Sequence, residues 1–179
     1  MSKFTESEHI KLRAVEPRDV AVMLEVENDE SAWYAAETQA PFSAHVMRQY
    51  ADAYRADPFG EGQLRLIAML KDSGFAVGIA DFYELSDRHQ HGFAGIYILP
   101  EFRRQGLGRE LLELMKLYAF QALMLSQLAA RIPSSNAPAL SLFESSGFQR
   151  SGLLRGWHRA AGQTHDILLL QHPASPASL

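Results

Sequence analysis

From Ile96 to Arg109 the chain reads Ile-Tyr-Ile-Leu-Pro-Glu-Phe-Arg-Arg-Gln-Gly-Leu-Gly-Arg: an apolar strand, a proline stop, a basic loop, and two glycines opening a long helix. Glycines at such a junction let backbone come close to a ligand. The first amides of the helix have no carbonyl to bond and face outward beside the positive end of its dipole. The chemistry this suits is anion binding, most naturally of phosphate. A P-loop would need four residues between its glycines and then Lys followed by Ser or Thr, whereas Gly106 and Gly108 lead into Arg109 and Glu110. A dinucleotide fingerprint would need a third glycine and an early βαβ unit, and neither is present.

A second stretch with chemical content, Asn136-Ala-Pro-Ala-Leu-Ser-Leu-Phe-Glu-Ser-Ser-Gly147-Phe148, follows about 30 residues later. The pattern Arg103-x-x-Gly106-x-Gly108 directly after a strand, joined to this later run, resembles the GNAT superfamily of N-acetyltransferases over roughly residues 9–171. The opening Ile-Lys-Leu-Arg-Ala-Val-Glu-Pro-Arg-Asp looks most like the branch holding spermidine and ribosomal-protein N-terminal acetyltransferases. That resemblance implies acetyl-coenzyme A as cosubstrate. Backbone groups of Ile96, Tyr97 and Ile98 would align its pantetheine arm, and amides from Arg104 through Gln105, Gly106, Leu107 and Gly108 to Arg109 would hold its diphosphate. Arg103 and Arg104 can add charge-assisted contacts of about 1.5–3 kcal/mol each. Asn136 would touch the pantetheine as well as cap its helix. Phe143 stands where many members carry a tyrosine that protonates the departing thiolate, so solvent or another donor must supply that proton here. A coenzyme A thiolate is already a fair leaving group.

Attack by an amine needs a group to take its proton. Asp81 and Glu84 on one strand, with His91 just beyond, are the candidates, and Glu84 is the preferred base, acting through water with a carboxyl pKa raised by burial. Many members carry an acid near the position of Phe93, and this chain does not. For the acceptor side, Trp33, Tyr34, Glu37, Asp81, Glu84 and Trp157 can line a pocket, although large aromatics are more often core. Polyamine enzymes of that branch have consecutive acids near Thr38 and Gln39, whereas here only Asp29, Glu30 and Glu37 are acidic. The implied function is transfer of acetyl from acetyl-coenzyme A to a primary amine (a polyamine, small amine or peptide N-terminus) by direct attack. A catalytically degenerate acyl-coenzyme A-binding module is the alternative, kept open by the missing tyrosine and acid.

The elements that must position these residues follow from periodicity. Residues 9–15 alternate as a half-buried strand, Pro17 opens a helix through Glu27, and Asn28 to Pro41 reads as irregular. Ser43 caps a second helix to about Tyr54. Leu64–Leu70, Phe75–Leu85 and Phe93–Leu99 form an antiparallel meander, with a hairpin turn at Lys71-Asp-Ser-Gly74. A long helix from Gly106 to Ala122 should be buried nearly all round in its second half, with Arg109, Glu110, Glu113 and Lys116 facing water. Leu128–Ile132 reads as a parallel strand buried on both faces, Asn136 to Gly147 as a helix, and Phe148–Trp157 and His165–Leu170 as closing strands around a turn at Arg159–Gln163. Pro173–Leu179 reads as a frayed tail. The order β-α-α-β-β-β-α-β-α-β-β is α/β with a mixed sheet flanked by helices, and it is the order of the GNAT fold. In that fold the strands before the phosphate loop and after the long helix splay apart.

Composition bounds the rest. With 179 residues, 47% of them hydrophobic, the chain is long enough for one full core, which predicts a single domain over 1–179. A net charge of −4 disfavours nucleic acid as a partner. The absence of cysteine removes a disulfide framework, a thiolate metal site and a covalent cysteine intermediate, and the seven histidines do not fall in a metal-binding spacing. No apolar run reaches the roughly 18 residues that span a bilayer, and residues 1–8 do not read as a signal peptide, so a cytoplasmic protein is expected. The apolar C-terminal strands allow a homodimer, as in some relatives.

Overall fold

The computed structural model describes residues 4–36, 38–160 and 162–174. Strand β1 (Ile10–Ala14) alternates as expected, with Ile10 and Leu12 buried. A short 3-10 turn at Pro17–Asp19 leads into α1 (Val20–Glu27). Arg13 forks onto the buried Asp19 at 2.6 Å for both contacts, so the strand-to-helix corner is closed by a charge pair. A helix not foreseen in the sequence, α2 (Glu30–Ala36), follows immediately. Its start is set by Asp29, whose Oδ1 accepts from the Ser31 amide at 3.0 Å and the Ser31 hydroxyl at 2.6 Å, in the manner of an N-cap. In α3 (Ala44–Ala53) the Ser43 cap is present, its Oγ accepting from the Val46 amide at 3.2 Å.

The meander is β2 (Gln63–Leu70), β3 (Ala76–Ser86) and β4 (His91–Ile98), antiparallel throughout. After a 3-10 turn at Pro100–Phe102 comes α4 (Leu107–Leu117), prolonged by one π-helical turn over Tyr118–Ala122. Then follow β5 (Gln127–Pro133), α5 (Ala137–Ser145), β6 (Gln149–Ala160) and β7 (Gln163–Pro173). The strands make one seven-stranded sheet in the order β1-β2-β3-β4-β5-β7-β6, with β4 and β5 parallel.

Alternation along the strands divides the core in two. Leu64, Leu66 and Ala68 of β2 pack with Leu111, Met115 and Leu140 on the α4 and α5 side, while Ile67 and Ile79 point to the other face and meet Met23 of α1 and Met47 of α3. The sheet therefore lies between two helical layers.

Three expectations need correction. Leu117 is 41% exposed, so the second half of the long helix is not buried all round. Glu110 and Lys116 are not solvated: Glu110 accepts from Ser7 and from the His9 and Ile10 amides, and Lys116 donates to the Ser146 carbonyl at 2.6 Å. In β5 the expected burial on both faces is broken by Arg131, which stands exposed at the cleft and pairs with Glu84. The departures at Glu110, Lys116 and Arg131 share one cause, a polar group that finds a partner distant in sequence.

Candidate active site

Strands β4 and β5 pair only from His91–Phe93 to Gln127–Ala129. Beyond that point β4 stays with β3 and β5 stays with β7, so the two diverge and a gap opens in the middle of the sheet. Which backbone groups face the gap follows from the ladder. The Leu99 amide donates to the Val77 carbonyl at 2.9 Å, toward β3, while the Ile98 carbonyl faces the other way and accepts from Arg103 Nε at 2.8 Å. By alternation the amides and carbonyls of Ile96 and Ala94 also point into the gap. The gap is the floor of a cleft of about 480 Å³ lined by residues of α1, α2, β2–β7 and α5.

At one end lies the glycine junction. Gly106 occupies the N-cap of α4 with φ +83°, a left-handed conformation that favours glycine, and a Cβ there would have nothing within 4 Å. The Arg109 and Glu110 amides turn back to the Gly106 carbonyl, both at 3.1 Å. Leu107 and Gly108, the first two residues of the helix, have amides with no intrahelical acceptor. At Gly108 a Cβ would lie 3.5 Å from Leu142 and 3.8 Å from Ile98, filling the seam where α4, α5 and β4 meet. The open cradle and free amides fit a diphosphate. Arg103, Arg104 and Arg109 are all exposed, but Arg103 is tied to the protein by its guanidinium. Its guanidinium lies 5.1 Å over the Tyr97 ring and 3.5 Å from Asp29. Gln105 donates to the Glu101 carbonyl at 3.0 Å.

The opposite wall is built from side chains. Arg65 of β2, 19% exposed, forks onto Asp81 at 2.8 Å for both contacts and reaches Glu27 of α1 with its remaining nitrogen. Burial opposes its charge, but Asp81 and Glu27 outweigh that and raise its pKa well above the usual value. Glu84 sits at the rim of the cleft and forks onto Arg131, whose guanidinium stacks 4.1 Å over Phe93. The hydrogen bonds from Arg131 hold the Glu84 carboxyl below its usual range, opposite in direction to the raised value expected of a base. Tyr97 donates its hydroxyl to Asp29; burial and that bond push the phenol up. Burial also raises Asp29, but bonds from Ser31 and Tyr97 and the charge of Arg103 leave it below the usual range.

The sequence-predicted residues thus divide. Asp81, Glu84, Ile96, Tyr97, Asn136, Phe143 and Trp157 all line the cleft. Asn136 caps α5, accepting from the Ala139 amide at 3.2 Å, and Phe143 is buried edge-on against Phe148. Trp33 is not among the lining residues: its Nε1 donates to the Glu27 carbonyl at 2.8 Å, closing the end of α1. His91 is exposed and stacks on His89, away from the cleft lining. Glu37 and the side chain of Tyr34 lie outside the described residues. Sequence reasoning missed Glu27, Arg65, Arg131 and His158, which complete the wall. No local motif marks them, because Arg65, Arg131 and His158 reach the cleft through strand register and Glu27 through the packing of α1 on the sheet.

Residues 9–149 match the acetyltransferase (GNAT) domain. Among similar proteins are an uncharacterized N-acetyltransferase, YoaA, of Bacillus subtilis (strain 168), 25% identical over 170 residues covering 93% of this chain and 94% of that protein. The ribosomal protein bS18 alanine N-acetyltransferase of Escherichia coli (strain K12) is 31% identical over 80 residues, 45% of this chain and 53% of that one. In fold, the chain is similar to spermidine N-acetyltransferase from Vibrio cholerae in complex with CoA and spermine, with a TM-score of 0.82 at 20% identity, covering 93% and 96% of the two chains. The split sheet with a left-handed glycine heading the next helix, together with the match over most of its length, establishes that this chain belongs to the GNAT acetyltransferase family.

Proposed function

We propose that the protein transfers an acetyl group from acetyl-coenzyme A to a primary amine by direct attack. The observation that carries this is continuity. The edge of β4 left unpaired at Ala94 and Ile96 leads, through Ile98 and the short turn after it, to the amides heading α4 at Leu107 and Gly108, so one consecutive stretch of chain offers backbone groups for both an extended thioester arm and its diphosphate. On this reading Asn136 flanks the arm, and Phe143 contributes a wall. Arg104 and Arg109 offer charge to the phosphates from solvent, while Arg103 stabilises the turn behind them. The acceptor enters past Glu27, Asp81 and Glu84, three carboxylates against the two arginines Arg65 and Arg131, which leaves that wall net acidic and suited to an ammonium group. Glu84 serves there as a paired attractive charge at the rim.

Calorimetry with acetyl-coenzyme A, then thiol release with a panel of polyamines, small amines and N-terminal peptides, tests the proposal. Binding plus turnover with at least one amine is expected. A folded protein that binds no coenzyme would overturn it. Binding without turnover across the panel would favour a non-catalytic acyl-coenzyme A-binding role, the reading to which the hydroxyl-free Phe143 gives support.

A further inference from the structure

Strand β6 carries an anomaly next to the cleft. Leu154 pairs with Ile167 and His158 with His165, so residues 155–157 stand opposite Asp166 alone. This bulge is pinned by the Gly156 amide, which donates to Asp166 Oδ1 at 2.7 Å, with Gly156 at φ +58°. Bulges re-aim side chains. Arg155, Trp157 and Arg159 are exposed, whereas His158 is only 8% exposed and lines the cleft. Its Nε2 is buried without a hydrogen-bond partner among the described residues. A buried polar atom left unpaired costs free energy and calls for an explanation. The carboxylates on the same wall give no comparable opening, since Glu27 and Asp81 are held by Arg65 and Glu84 by Arg131.

We propose that His158, buried at the cleft beside the β6 bulge with its Nε2 unpartnered, takes the proton from the acceptor ammonium. The proposal rests on the acetyltransferase reading above. R–NH3+ gives one proton to Nε2. The freed lone pair forms the C–N bond at the thioester carbonyl, and the C–S bond breaks with its electron pair leaving on sulfur. The new amide nitrogen loses its second proton to the thiolate, giving the free thiol, and His158 returns its proton to water.

The test compares the parent with His158→Gln and His158→Asn, using two probe amines of different basicity. These are spermidine, whose primary amines titrate near 10 as a lysine does, and a peptide with a free α-amino group, near 8. Both variants should bind acetyl-coenzyme A as the parent does, with kcat/KM for spermidine at pH 7 down about 100-fold. The loss should be smaller for the peptide and should shrink for both as pH approaches the amine's own pKa. Imidazole added to His158→Ala should restore part of the rate. Variants that bind coenzyme and turn over within threefold of the parent, with an unchanged pH profile, overturn the role of His158 and leave the acetyltransferase reading standing. A parent that turns over neither these nor any other panel amine overturns both. If no variant folds, the parent's profile decides. A second inflection in kcat/KM, beyond that of the amine, that the probe amine's basicity does not move supports the proposal, and a rise that follows only the amine's pKa overturns it.

Discussion

The two ends of the cleft are made of different material. At the glycine junction the binding groups are main chain: the unpaired edge of β4 and the amides heading α4, with side chains either exposed or folded back. On the acceptor wall the groups are side chains, Glu27, Arg65 and Asp81 in one cluster and Glu84 with Arg131 in another. Backbone donors are indifferent to residue identity unless a substitution fills their space or bends them. Side-chain clusters depend on every member, because removing one leaves its partner as a charge withdrawn from water.

That contrast can be broken most directly at Gly106. Gly106→Asp puts a carboxylate in the open cradle and an L-residue at φ +83°. Its affinity for acetyl-coenzyme A should fall about 100-fold, equivalent to about 2.8 kcal/mol, at a folding cost of roughly 1–2 kcal/mol. Calorimetry on the folded variant reads this, and an unchanged affinity would remove the main-chain account of that end. On the acceptor wall, Arg65→Met should lower stability in urea by about 2–4 kcal/mol, since Glu27 and Asp81 are then left facing one another without a cation. Asp81→Asn should cost about half as much, because Glu27 still holds the arginine.

A third substitution sharpens the contrast from behind the glycine loop, where α4 is tied to the N-terminal strand by a side chain. Burial raises the Glu110 carboxyl, but hydrogen bonds from Ser7, His9 and Ile10 outweigh it and hold the group at about 2, against an ordinary 4.5. A carboxyl depressed in the folded state stabilises it fully above about 4.5, and this contribution fades as pH falls through about 2. Glu110→Gln should therefore cost about 1–2 kcal/mol at pH 6, and the two proteins should converge in acid denaturation toward pH 2. The smallest effects belong to the arginines. Arg104→Gln should weaken coenzyme binding about threefold at low salt and less at high salt. Arg103→Gln should change it less than that, because its guanidinium is engaged by Ile98 and Asp29. A larger effect at Arg103 would show that it swings onto the phosphates.

The glycine junction was legible in sequence because its elements are consecutive: strand, proline, glycines and helix lie within residues 96–109, and each residue type states its backbone requirement locally. The short helix α2 was not, since its start depends on an aspartate among turn-forming residues that also reads as a loop. Glu84 was visible as an acid on a strand. Its pairing with Arg131 of β5 was not, nor was the lowered carboxyl pKa that follows from it.

What the sequence by itself determined is the order of the strands and of every longer helix, the glycine-headed helix after the third strand of the meander, and the cap at Asn136. These depend on neighbours a few residues away. What the tertiary structure alone decided is which side chains share the cleft. The Leu70 amide donates to the Phe75 carbonyl across the hairpin, but a bulge between Ala68 and Met69 shifts the register by one, so that Arg65 stands opposite Asp81 and not Ala80. In β6 a two-residue shift of register sets His158 opposite His165, buried among exposed neighbours. Because side chains alternate across a strand, one residue of register exchanges the cleft for solvent, and the pairing that fixes it lies in another part of the chain.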